Sequence, residues 1–251
     1  MSRRSRFREH LPLAPKPEPY FRWRGRETSR LEGFADTVFA FAVTLLIVAL
    51  EVPHTFEDLK DILRDFPAFV VCFAILMSFW NSHYRFFRRY ALEDRPTRLL
   101  NYAILLSVLF SVYPLKFLFS SWLGSMFGGR HYRAYEYIDQ LYVLYMIYGL
   151  GFAGINLLFG LLYGRAWRLR ETLRLTAVES VLTRSAMWEH RLLIVVCFIS
   201  VTLALLRTPP YMPGLAYLLI GVAFAVNGRH HGLQVRMLTA REAVTAAAPT
   251  A

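Results

Sequence analysis

The sequence predicts an all-α integral membrane protein with six transmembrane helices. Three observations carry that prediction. First, 55% of the 251 residues are hydrophobic, above the roughly 45–50% usual for soluble domains. Second, apolar residues gather in six blocks, at 33–52, 67–87, 100–123, 138–163, 191–207 and 211–227. Each reaches or approaches the ~20 residues that cross a bilayer. Third, the cations alternate. Of the 29 Lys+Arg, 23 fall before the first block, from the last residues of the second to the start of the third, from the end of the fourth through the first residue of the fifth, or after the sixth. The other connections carry only Lys60, Arg64, Arg130, Arg133 and Arg207, and Lys116 lies inside the third block. Positive charge stays on the cytoplasmic side, so both termini and both basic connections are expected there. An even number of spans demands the same.

The first block opens Arg30-Leu-Glu-Gly-Phe34-Ala35-Asp36 and runs on as a membrane-length segment. An acid at that depth is costly unless paired, so it marks a structural lock or an ion path. On a helix, Thr37, Phe41, Thr44, Val48 and Glu51 fall on one stripe. Asp36 lies about 100° away and is expected to point at neighbouring helices, with Arg30 as its partner. The second block ends with Trp80 and His83, three apart and therefore on one face. His83 either gates by protonation or is a neutral imidazole bonded to Asp36 or Asn101, and the second reading is favoured. The third block opens at Asn101. Its Pro114 is expected to kink or end the regular helix, and Lys116 to snorkel outward.

The fourth block is followed by 164–190, whose apolar residues recur among arginines. Two readings stay open: a helix lying on the inner membrane surface, or an extension of the fourth span. The fifth block is the shortest, an unbroken run from Leu192 to Leu206 closed by Pro209-Pro210. The sixth follows after a short turn. The domain organisation is a basic tail over 1–29, a six-span domain over 30–228 and a C-terminal tail over 229–251. The first tail is expected to be mobile over 1–26 and the second to fray. Residues 1–26 have no apolar core, so no cleavable signal is expected.

Several function classes are set aside. The net charge of +11 is spread along the inner face, which suits orientation and lipid headgroups, not nucleic acid. Cys72 and Cys197 fall inside spans as packing residues. There is no phosphate-cradling glycine loop and no hydrolase or zinc motif. His230-His231 and Glu189-His190 have no third ligand at a useful spacing, so neither metal nor cofactor is expected.

The Arg30-x-x-x-Phe34-Ala35-Asp36 element resembles the Arg-x-x-x-Phe-Ser-Asp signature of the transmembrane protein 175 family of potassium channels, in its bacterial form. Trp80-x-x-His83, and Asn101 followed by Pro114, are similar to that family's pattern. The resemblance covers the first three spans. It implies six-span subunits assembled as a homotetramer, with a pore lined by the first helix. The constriction then falls on Phe41 and a threonine ring on Thr44. Arg30, Phe34 and Asp36 fall in a structural tie, with Trp80, His83 and Asn101 as partners. Two positions depart from the pattern: Ala35 replaces the motif serine, and Phe41 stands where the family usually has Ile or Leu. The implied function is a potassium-permeable leak channel of the inner (plasma) membrane. K+ would be the permeant ion, Glu51 would concentrate cations at the outer mouth, and the partners would be other copies and the lipid bilayer. Two other classes compete: a non-conducting scaffold or sensor, and a proton-coupled transporter using Asp36 and His83.

Overall fold

The computed structural model describes residues 18, 20–25, 27–48, 52–127 and 138–247. Six long helices cover the six predicted blocks: α1 (Arg30–Val48), α2 (Phe56–Tyr90), α3 (Arg95–Phe127), α4 (Ile138–Arg168), α5 (Ala177–Leu205) and, after a short helix α6 (Met212–Leu215) and one 3₁₀ turn (Ala216–Leu218), α7 (Leu219–Ala247). All six spans are long and apolar enough to cross a membrane.

Local sequence sets the helix starts. Ser29 and Glu32 form a reciprocal capping box on α1, the Ser29 N–H donating to Glu32 Oε2 at 2.8 Å and the Glu32 N–H to Ser29 Oγ at 3.2 Å. Thr55 with Asp58 opens α2 in the same way, and Thr176 with Glu179 opens α5. Each box satisfies amide donors that a helix N-terminus otherwise leaves open. Asp94 precedes α3. Its carboxylate accepts from the Thr97 hydroxyl and is paired to Arg165 of α4 at 2.6 Å. α2 ends where Ala91 turns left-handed, with φ of 48° and its N–H donating to the Phe87 carbonyl.

The main core is built from the inward faces of α1 to α4, with Ala35, Phe39, Leu76, Phe86, Val108 and Phe159 all buried in it. α1 packs on α2 and α3, α4 on α3 and α5, and α5 on α7. Small residues allow the closest approaches, as is usual between membrane helices. A Cβ added at Gly149 of α4 would lie 2.5 Å from Val201 Cγ2 of α5.

Four expectations are corrected. Of the two readings of Pro114, the one in which it ends the regular helix is overturned, since α3 continues to Phe127. In hydrocarbon a broken helix would strand several backbone polar groups, whereas a proline kept inside the helix forfeits one bond, that to the carbonyl four residues back. The 164–190 segment is neither a surface helix nor a simple extension of the fourth span. α4 stops at Arg168, a turn follows, and residues 177–190 are the first half of α5. Val178 and Val181 there pack against Val235 of α7. α7 in turn runs helical to Ala247, through the stretch expected to be a fraying tail.

The N-terminal stretch is corrected as well. Residues 20–25 are docked as a strap on the helix ends. Phe21 is 3% exposed and meets Tyr90 edge-on at 5.5 Å. Arg24 pairs with Glu179 at 2.8 Å and donates to the Leu173 carbonyl, and Glu18 pairs with Arg89 at 2.7 Å. The Arg24 and Gly25 amides donate to the Arg88 carbonyl.

Two outcomes follow. Gly149→Val should overpack the α4–α5 contact and destabilise the protein by about 1–3 kcal/mol. An unchanged thermal unfolding midpoint in detergent would refute this. For Asp94, burial raises the carboxyl pKa, but the hydrogen bonds from Thr97 and Arg165 outweigh it and hold the group below its ordinary 3.8. Its contribution is therefore full above pH 3.8 and lost as pH falls through the lower folded-state value. Asp94→Asn should lower the unfolding midpoint at neutral pH, and the two proteins should converge in acid. Curves that stay parallel at all pH values would refute it.

Candidate functional site

α1 has two faces. Glu32, Ala35, Phe39, Ala42 and Leu46 are buried. On the other side Phe34, Thr37, Ala40, Phe41, Thr44 and Val48 are exposed, Phe41 by 55% and Val48 by 67%. The predicted stripe of Thr37, Phe41, Thr44 and Val48 is thus a continuous outward face of the single chain. Glu51 lies outside the described residues. Both threonines bond back along the helix, Thr37 Oγ1 to the Gly33 carbonyl at 2.9 Å and Thr44 Oγ1 to the Ala40 carbonyl at 3.0 Å. Their hydroxyl protons are used internally, which leaves oxygen lone pairs as the polar feature of that face.

The residues around the helix start separate into two bonds. Trp80 Nε1 donates to Asp36 Oδ1 at 2.9 Å, joining α2 to α1. One turn further along α2, His83 is 1% exposed, and its Nε2–H donates to Asn101 Oδ1 of α3 at 2.7 Å. The favoured reading of His83, a buried imidazole bonded to Asn101, matches this geometry. Phe39 of α1 lies over the same imidazole at 5.7 Å and Phe87 at 4.6 Å. Three helices therefore meet at His83.

Arg30 and Phe34 do not join this network within one chain. The expected Arg30–Asp36 pair is absent among the described residues, and both Arg30 and Phe34 are exposed. The reason is the helical period. Positions 30, 34, 37 and 41 share one face, and that face turns away from α2 and α3.

Sequence reasoning missed several groups. The Ser29-x-x-Glu32 box was legible as a capping signature ahead of an apolar run. Glu32 also sits 3.9 Å from Arg88, so the start of α1 is tied to the end of α2. The strap residues Phe21 and Arg24 carried no periodic signal. Asn156 of α4 and His190 of α5 form a second buried pair at 3.0 Å, visible in the sequence only as two polar residues at span positions. His231 bonds the Asn227 carbonyl one turn back. Among the described residues no three His, Cys, Asp or Glu side chains gather as a metal cluster.

Comparison with known proteins places these features in context. Residues 30–112 match the sequence model of a family described as the endosomal/lysosomal potassium channel TMEM175. A protein of Marivirga tractuosa named "Potassium channel" is 39% identical over 196 residues, covering 75% of this chain and 79% of that one. A potassium channel of Chamaesiphon minutus is 28% identical over 150 residues, covering 57% of this chain and 65% of that protein. The crystal structure of a variant of the potassium channel MtTMEM175 bound to a nanobody–MBP fusion superposes with a TM-score of 0.76 at 36% identity, over 86% of this chain and 98% of that one. A Chamaesiphon minutus homolog, described as a lysosomal potassium-selective channel TMEM175 homolog, gives 0.52 at 22% identity over 83% and 97% of the two chains, a likeness of fold alone.

The three-helix junction yields a double test. Asn101→Leu strands the buried His83 ring nitrogen and should cost about 1–3 kcal/mol. Adding His83→Phe removes the stranded group and should restore most of that loss. If the double variant unfolds as early as Asn101→Leu in a thermal scan, the bond is not what holds the junction.

Proposed function

The chain belongs to the TMEM175 family, and from that premise we propose that it is a potassium-permeable leak channel of the inner (plasma) membrane. Four copies assemble around a central path, with both termini of each in the cytoplasm. The path is lined by Thr37, Phe41, Thr44 and Val48, with Glu51 at its outer mouth. Conduction is passive, and the protein is a channel and not an enzyme.

The observation that carries this reading is the outward face of α1. Its neighbours α2 and α3 cover the opposite face, so the hydroxyl-and-ring stripe must meet lipid, water or another copy. Asp36 is exposed in the single chain and has one bond, to Trp80. A carboxylate at the rim of a span is costly against lipid, which favours a neighbouring copy or water over lipid on this side. A central path supplies both. Within it Phe41 is the bulkiest side chain on the stripe and forms the constriction. A ring of phenyl groups gates by dewetting, and when the rings swing aside their faces attract a cation. Thr44, one turn further out, offers oxygen lone pairs where a dehydrating ion needs them. The relatives named as potassium channels support K+ as the permeant ion.

The test is ion flux from liposomes holding the purified protein under a potassium gradient, with sodium and proton controls. Potassium flux should exceed sodium flux. Phe41→Ala should raise flux about tenfold, which corresponds to about 1.4 kcal/mol off the barrier, and should narrow the potassium-to-sodium ratio. Unchanged flux in Phe41→Ala would remove that residue from the path. No flux in either protein, from a folded oligomer, would overturn the channel reading.

A further inference from the structure

At the end of the bundle that carries the N-terminal strap, two indoles are flanked by arginines. Trp167 is in the last turn of α4. The Arg170 guanidinium lies 5.0 Å from its ring centroid, and that of Arg184, from α5, lies 4.9 Å from the same ring. One turn along α5, Trp188 is 47% exposed and has the Arg191 guanidinium 5.5 Å from its ring.

The charges here are treated differently from those nearby. Arg24, Arg89 and Arg165 are committed to Glu179, Glu18 and Asp94. Arg184 and Arg191 are exposed, each lies beside an indole ring, and among the described residues neither has a hydrogen bond or an ion pair. A guanidinium stacked on a ring is pre-organised, and its in-plane N–H donors remain free for a bidentate anion. Of the two cations beside Trp167, Arg170 is already paired with Glu171 at 3.3 Å, which leaves Arg184 as the one open to an anion.

The surroundings identify the anion. Arg184, Trp188, Arg191, Val195 and Phe198 follow helical spacing, and all five are exposed. The stripe therefore begins with arginines and an indole and continues as bare apolar surface down the span. Indoles settle at the headgroup level of a bilayer. A soluble phosphate would use the top of this stripe and leave the rest unexplained. A phospholipid uses all of it, headgroup on the guanidinium groups and acyl chain along Val195 and Phe198.

We infer that Arg184, Trp188 and Arg191, with Trp167, form a site for the phosphate headgroup of an anionic phospholipid in the leaflet at the strap end. This rests on the chain spanning a bilayer and is independent of conduction.

The test is native mass spectrometry of the detergent-purified protein titrated with dioleoylphosphatidylglycerol or dioleoylphosphatidylcholine. The anionic lipid should bind at least fivefold more tightly than the neutral one of the same chains. Arg184→Gln with Arg191→Gln should abolish that preference, whereas Arg95→Gln with Arg98→Gln, which removes the same charge from the α3 start, should keep it. Equal binding of both lipids by the wild type, or equal loss in the two double variants, would overturn the site. Displacement of the anionic lipid by millimolar glycerol 3-phosphate would also overturn it, since the ligand would then be a soluble phosphate. Should the Arg184/Arg191 variant fail to fold, Trp188→Leu serves instead and should lower the preference at least twofold, with an unchanged preference refuting the site. Flux is not read in this experiment, so its failure leaves the channel reading standing.

Discussion

Hydrocarbon makes a buried polar group without a partner costly, and that constraint organises this bundle. Several polar side chains within the spans are answered from a neighbouring helix or turn: His83 by Asn101, Asn156 by His190, the Ser200 hydroxyl by the Pro213 carbonyl, Asp36 by Trp80. These bonds join helices pairwise, α2 to α3, α4 to α5, α5 to α6 and α1 to α2. Apolar packing alone cannot fix register between helices, because lipid is as apolar as leucine. Polar pairs can, since a slip of one turn strands both members.

The strap end follows different rules because water reaches it. There the helix ends are joined by charge. Arg24 bridges the strap to Glu179 at the start of α5 and to the Leu173 carbonyl in the α4–α5 turn, while Arg89 at the end of α2 holds Glu18. Glu179 has two duties, capping α5 through the Thr176 amide and receiving Arg24. The strap then leads directly into the Ser29 cap of α1. The start of the helix that carries the proposed constriction is thus fixed to α2 by Glu32 near Arg88 and, through the strap, to the α4–α5 turn. Movement of α1 as a rigid body would have to strain or break these contacts, whereas rotation of the Phe41 ring would not.

Legibility in the sequence divides along the same line. The six spans were readable because membrane length and charge alternation are strong, redundant signals. The stripe on α1 was readable because a 3.6-residue period needs only a start point. His83 with Asn101 was readable as one of two options, since each is a polar residue at a corresponding depth in adjacent spans. The strap was not. Its order comes from Phe21 inserting beside Tyr90 and from Arg24 reaching 155 positions along the chain to Glu179, and no local pattern encodes contacts of that range. The first half of α5 was misread for a related reason. Its arginines and leucines suit a membrane surface in isolation, and only the partner face on α7 shows that Val178 and Val181 are core.

The two departures from the family signature fall on opposite faces of α1, and their effects are therefore separable. Ala35 faces inward and is fully buried in the main core. A serine there would need a bond to avoid a stranded hydroxyl, so alanine removes a polar tie at this position and leaves Trp80–Asp36, Glu32 near Arg88 and apolar packing to hold the helix. Phe41 faces outward and is more than half exposed in its own subunit, so its bulk bears more on the proposed path than on the fold. An aromatic at a constriction differs from an aliphatic in shape and in charge distribution. Its flat ring can turn edge or face to the axis, and the negative face stabilises a cation that an isoleucine or leucine would merely exclude. The exchange at 35 alters how firmly α1 is held, whereas the exchange at 41 alters what passing ions would meet.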